Sequence, residues 1–102
     1  MIKLLAIYRK PEDQAAFLDH YERVHVPLAR KVPGLERLVL DRVVGDPFGR
    51  EPDFFLVAEM HFPDRVTFDA AMASPENQAL GRDLMSFAKG IVSVVVAESI
   101  DG

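Results

Sequence analysis

A chain of 102 residues, 49% hydrophobic and 27% charged, is sized for a single domain and is too apolar to remain disordered. Its formal charge of −4, with 12 basic residues scattered among 16 acidic ones, offers no basic stripe for a phosphate backbone and argues against nucleic acid as a partner. The chain has no cysteine, which excludes disulfides, thiolate metal ligands and a cysteine nucleophile. No apolar run nears the roughly 20 residues that span a membrane and no secretory leader is visible, so the expected location is cytoplasmic.

Ile2–Tyr8 (IKLLAIY) is short, apolar and closed by Arg9-Lys10-Pro11, the mark of a strand. From Pro11 to Val32 the period changes: Phe17, Tyr21, Val24, Leu28 and Val32 recur three or four apart, as on one face of a helix. Pro11 suits a first turn, Glu12 and Asp13 suit the positive end of the dipole, and Pro33-Gly34 ends the element. Pro27 removes a backbone donor and crowds the Arg23 carbonyl, so a kink or break is expected beside His25. Leu35–Val44 reads as a second strand, Gly45–Asp53 (GDPFGREPD) as a hairpin connection, and Phe54–Phe62 as a third strand. Pro63-Asp64 introduces a short helix carrying Phe68, Ala71 and Met72. Ser74-Pro75-Glu76 starts another, with Leu80, Leu84, Phe87 and Ala88 on one face and Lys89-Gly90 at its end. Ile91–Ala97 (IVSVVVA) closes the chain as a fourth strand.

The order βαββααβ over residues 1–102 predicts one α+β domain of ferredoxin-like topology: a four-stranded antiparallel sheet, first and third strands central, helices on one face. Both faces of the strands are nevertheless apolar, with Leu4 and Ala6 opposite Leu5 and Ile7, and Val94 and Val96 opposite Val95. Helices suffice for one face only, and a bare face of this kind exceeds the patches soluble monomers tolerate. A second copy of the chain is the simplest cover, and a homodimer is expected.

His25 projects about 80° round the helix from Phe17, within the apolar stripe, with Tyr21 one turn earlier on the same side. Two roles are open to it: moving protons in a cavity beside the bend, or bonding a carbonyl that Pro27 frees. His20 reads as a flanking surface residue. The five-residue step from His20 to His25 separates them on an α-helix, unlike the i,i+4 histidines of a helical zinc site, so no metal is expected. His61 and Glu59 lie two apart on a strand and share a face, where the carboxylate can orient the imidazole; a plain charged pair is the alternative. GxGxxG, Walker A, GxSxG and HExxH motifs are all missing, and no cofactor is expected.

The run His20-Tyr21-Glu22-Arg23-Val24-His25-Val26-Pro27-Leu28, with Ile2–Lys10 before it and Pro33-Gly34-Leu35 after it, resembles the EthD family. Phe68-Asp69 and Ser74-Pro75-Glu76 fit the same pattern. The resemblance implies a dimeric α/β barrel, two sheets facing each other with helices outside, and maps the family's motif histidine onto His25. EthD-like proteins are associated with bacterial degradation of ethers, and similar barrels include cofactor-free monooxygenases, lactone isomerases and polyketide-tailoring enzymes. The expected function is therefore a cofactor-free enzyme, an oxidoreductase or an isomerase or lyase, acting on a small hydrophobic or aromatic molecule. His25 would move a proton, with Tyr21, Tyr8 or His61 orienting it or polarising an oxygen. Phe17, Leu28 and the loop residue Phe48 are further pocket candidates. The competing reading is an accessory protein that binds such a molecule without chemistry.

Overall fold

The apolar runs pair as their period demands, and the computed structural model, which describes residues 1–101, shows four strands in one antiparallel sheet. These are β1 (Ile2–Arg9), β2 (Arg37–Arg42), β3 (Phe54–Phe62) and β4 (Val92–Glu98), in the spatial order β2-β3-β1-β4. The first and third strands are central, as the ferredoxin-like topology requires. Leu4 lies between Met60 and Val96, and Leu5 between Glu59 and Val95, so successive residues of β1 face opposite sides of the sheet.

Asp13 caps the first helix, its carboxylate accepting from the Ala16 N–H at 3.0 Å, and α1 runs over Gln14–His20. The helix therefore begins after Pro11-Glu12, because Asp13 occupies the cap and not the first turn. Nor does Pro27 break it. A π-helical turn, Tyr21–His25, carries α1 directly into α2 (Val26–Ala29), with the Val26 N–H donating to the Tyr21 carbonyl five residues back. His20, Tyr21, His25 and Val26 all keep right-handed helical φ and ψ. The expected kink is replaced by one widened turn, and Pro27 sits in the first turn of α2, where a missing N–H is tolerated.

Asp64 caps α3 (Arg65–Met72), and Ser74 caps α4 (Pro75–Ala88) by accepting from the Asn77 N–H at 3.1 Å, with Pro75 just inside. Gly34, at φ +81°, turns the chain toward β2 in a conformation that other residues rarely adopt, and a Cβ there would collide with the Thr67 methyl of α3. Two buried clusters result on the helical side. One holds Ile2, Val32, Met60, Phe62, Phe68 and Leu80. The other is aromatic, with Tyr8, Phe17, Tyr21 and Phe55 in mutual edge or stacked contact. On the opposite sheet face Leu5, Ile7, Val39, Val57, Val95 and Ala97 are all half-buried or exposed, and no helix of the chain covers them. Among the described residues no helix is long and apolar enough to cross a membrane.

Candidate functional site

Between the two clusters the helices stand off the sheet and leave a cavity of about 230 Å³. Small residues make the space: Ala6 and Ala58 on the sheet, Ala29 on α2 and Gly81 on α4. Leu4, Met60, Leu80 and Leu84 supply apolar walls, and the polar groups that reach the cavity are those of Tyr8, Tyr21, His25 and Asn77.

His25 is 6% exposed. It faces inward as its place in the apolar stripe implies, and it lines the cavity. Its Nδ1 lies 2.8 Å from Oδ2 of Asp83 on α4. The other oxygen of that carboxylate, Oδ1, lies 2.8 Å from Nε2 of His20. Phe87, one turn beyond Asp83, sets its ring against both imidazoles, with centroids 4.7 Å from His20 and 4.9 Å from His25. On a regular α-helix a five-residue step turns a side chain about 140° away. The π-helical turn between the two histidines takes up part of that rotation and lets both reach one carboxylate.

An ionised Asp83 accepts from both rings, which fixes His25 as the Nδ1–H tautomer. Nε2 of His25 makes no hydrogen bond to the protein among the described residues. Burial pushes the His25 imidazole below its ordinary value of 6.5, against the opposing pull of Asp83. Burial raises the Asp83 carboxyl, but the hydrogen bonds from His25 and His20 outweigh it and leave the group below its ordinary value. Tyr21 lies beside His25, ring centroids 5.3 Å apart. Burial pushes its phenol up to about 12, and raises that of Tyr8 further, with Tyr21 adding to the effect. Both hydroxyls therefore stay protonated near neutral pH and can donate to an oxygen in the cavity.

The other four residues expected at the site do not line the cavity. His61 follows Met60 on β3 and so lies on the far face of the sheet, with Nε2 2.9 Å from Oε1 of Glu59 and Lys3 3.6 Å from the same oxygen. The Glu59–His61 pair exists, but it is remote from His25. Phe17 packs behind Tyr8 and Tyr21 in the aromatic cluster, and Leu28 packs on the other cluster; neither lines the cavity. Phe48 is 80% exposed with the Arg50 guanidinium over its ring and does not line the cavity. Asp83 was the residue sequence reasoning missed. It stands three after Leu80 and four before Phe87, a carboxylate within the apolar stripe of α4, and that spacing was its signal. Among the described residues no group of three or more His, Asp or Glu side chains is placed to hold a metal ion.

Residues 9–90 match the EthD domain. An uncharacterised 11.0 kDa protein from the thcB–thcC intergenic region of Rhodococcus erythropolis is 32% identical over 101 residues, covering 96% of this chain and 94% of that protein. The crystal structure of an ethyl tert-butyl ether D (EthD) family protein from Bacillus halodurans superposes with a TM-score of 0.93 at 41% identity, covering 98% of this chain and 99% of that one. SnoaB, a cofactor-independent oxygenase from Streptomyces nogalater, shares the fold with a TM-score of 0.70 at 18% identity, over 99% of this chain and 94% of its own. With the domain match running through α1, the π-helical turn, the hairpin and α4, this chain belongs to the EthD family.

Proposed function

We propose that the chain is a cofactor-independent enzyme that uses His25 as a general base on a small, largely apolar substrate held between helices and sheet. The carrying observation is the Asp83–His25 pair: the carboxylate takes Nδ1 at 2.8 Å and leaves Nε2 as the basic atom of a ring that lines an apolar cavity. Substrate C–H or O–H gives its proton to Nε2, and the electron pair stays on the substrate. Tyr21 and Tyr8 donate to the oxygen on which that charge collects. At about 230 Å³ the space lies below the usual range of ligand pockets, which suits a compact phenol, enolisable ketone or lactone. An anion formed this way can react with dioxygen or be reprotonated elsewhere, so one site serves oxygenase or isomerase chemistry. That SnoaB is a cofactor-independent oxygenase on the same fold supports the first.

The same reading includes a homodimer joined through the open face of Leu5, Ile7, Val57 and Val95. Pairing two such faces puts the helices, and with them both cavities, on the outside of a closed barrel.

The test is a panel of small phenols, enolisable ketones and lactones, screened for binding by ligand-observed NMR and for turnover by oxygen uptake and absorbance. His25→Asn retains a polar group for Asp83 and is expected to fold and bind while turnover falls about 10²–10⁴-fold. Wild-type protein that binds but turns over no panel member supports instead the accessory-protein reading, and an undiminished rate in His25→Asn removes His25 from the chemistry.

A further inference from the structure

Asp83 has two carboxylate oxygens, and the fold gives one to each of two histidines at the same distance, 2.8 Å. The two rings differ in their surroundings. The His25 side chain is 7% exposed and the His20 side chain 34%. We propose that His20 is a positioning residue for His25, acting through Asp83: it occupies the second oxygen and carries the charge whenever the cluster gains a proton, so that His25 stays a free base. The inference rests on the reading of His25 as the proton acceptor.

One carboxylate supplies one negative charge. The first imidazolium to form cancels it, and a second would then stand beside a cation with nothing left to offset it. Exposure decides which ring is first, because a charged ring that keeps part of its hydration avoids most of the desolvation penalty. The neighbouring groups act in the same direction. His20 opens onto a surface groove rimmed by Glu12 and Asp13, with Lys89 as the one opposing charge there, and Asp83 faces it from α4. His25 is met by Asp83 from α4 and by the phenols of Tyr21 and Tyr8, which carry no charge. The pair of oxygens also holds the carboxylate plane in place: with Oδ1 tied to His20, Oδ2 remains on Nδ1 of His25. Without His20 the whole charge of Asp83 would be available to a protonated His25, and the base would be blocked over part of the range in which it must work.

The experiment follows the imidazole nitrogens of the whole protein by NMR, with ¹⁵N-labelled histidine, from pH 4.5 to 8.5. Wild type is compared with His20→Gln, which keeps a donor to Oδ1 but no charge, and His20→Lys, which supplies a permanent cation. His20→Gln is expected to raise the titration midpoint of His25 by about one pH unit, the size of a single neighbouring-charge effect. His20→Lys is expected to leave it at or below the wild-type value. A merely structural role for His20 moves the midpoint equally in both variants, and that result, or no movement in either, overturns the proposal. His61, on the far face of the sheet beside Glu59, is the internal control: a midpoint that shifts with that of His25 reports loosening of the fold and also overturns it. Turnover is not measured, so failure here is distinct from failure of the general-base reading.

Discussion

Asp83→Asn removes the charge at the centre of the site while leaving the side chain's shape and one acceptor oxygen. One of the two imidazoles must then face an amide NH₂ in place of an oxygen. Hydrogen bonds to a charged group contribute about 1.5–3 kcal/mol each. The bond to His25, a ring only 7% exposed, counts nearly in full, whereas His20 is 34% exposed and water replaces much of what it loses. The expected cost is about 2–3 kcal/mol near pH 7, a fall of roughly 10–20 °C in Tm for a chain of this length. The pH dependence gives the sharper signature. The native Asp83 carboxyl lies below its ordinary value of 3.8, so its contribution is complete above that pH and is lost as pH falls through the lower native value. Native His25 lies below 6.5, so the unfolded chain binds that proton first, and stability declines from pH 6.5 down to the native value. In Asp83→Asn the supporting carboxylate is gone, so the decline from pH 6.5 continues to lower pH, while the acid step shrinks to what Glu59 and Asp64, whose carboxyls also lie below their ordinary values, supply. Urea denaturation followed by circular dichroism at pH 8, 6, 4.5 and 3 measures both windows. Equal midpoints for the two proteins at pH 7, or an acid step as deep in the variant as in wild type, would refute the shared-carboxylate site.

Adjacent valines on β4 separate interface from cavity. Val95, 46% exposed, is on the open sheet face with Leu5, and Val94, 45% exposed, lines the cavity. Val95→Lys is expected to turn a sedimenting dimer into monomer, and Val94→Lys to preserve the dimer and abolish binding of panel ligands; a dimer unaffected by Val95→Lys places the interface elsewhere. Gly81 lies inside α4, where a Cβ would meet nothing within 4 Å. Gly81→Ala is therefore expected to add about 0.5–1 kcal/mol of stability, read as a raised denaturation midpoint, and a loss instead would mean that the backbone there needs glycine.

Much of the fold was legible because its signals are local and redundant. Alternation in LLAIY, the Ser74-Pro75 start and the Lys89-Gly90 stop each act within a few residues, and the surplus of valines on β4 announced a second apolar face. The errors came where one local rule overrode another. Pro11 and Asp13 both signal a helix start, and the carboxylate that reached the Ala16 N–H set it. On β3, periodicity placed His61 and Glu59 together correctly but could not say that Met60, between them, faces the cavity. The proximity of Asp83 to both histidines spans 58 and 63 residues of sequence, and no single-element pattern carries a contact of that range.

The π-helical turn is the step that joins these observations. α-Helical periodicity argues that His20 and His25 lie apart, and the penalty for an internal proline argues that the helix fails beside His25. One extra residue in the turn answers both arguments, since it rotates His25 back by about one residue's worth of helix, roughly 100°, and lets α2 restart with Pro27 in its first turn. A turn of this type packs less well than the α-helix it replaces and is rarely kept without a reason. Here the reason is visible on both sides of it. Just before it and at its last residue stand the two rings that share Asp83, and beneath it the sheet offers Ala6 and Ala58 where larger residues would fill the gap. Widened helix, small sheet residues and the mid-helix Gly81 of α4 each forgo some stability at the same place, and together they leave a cavity with an oriented base on its wall, the pattern expected where function and not packing sets the sequence.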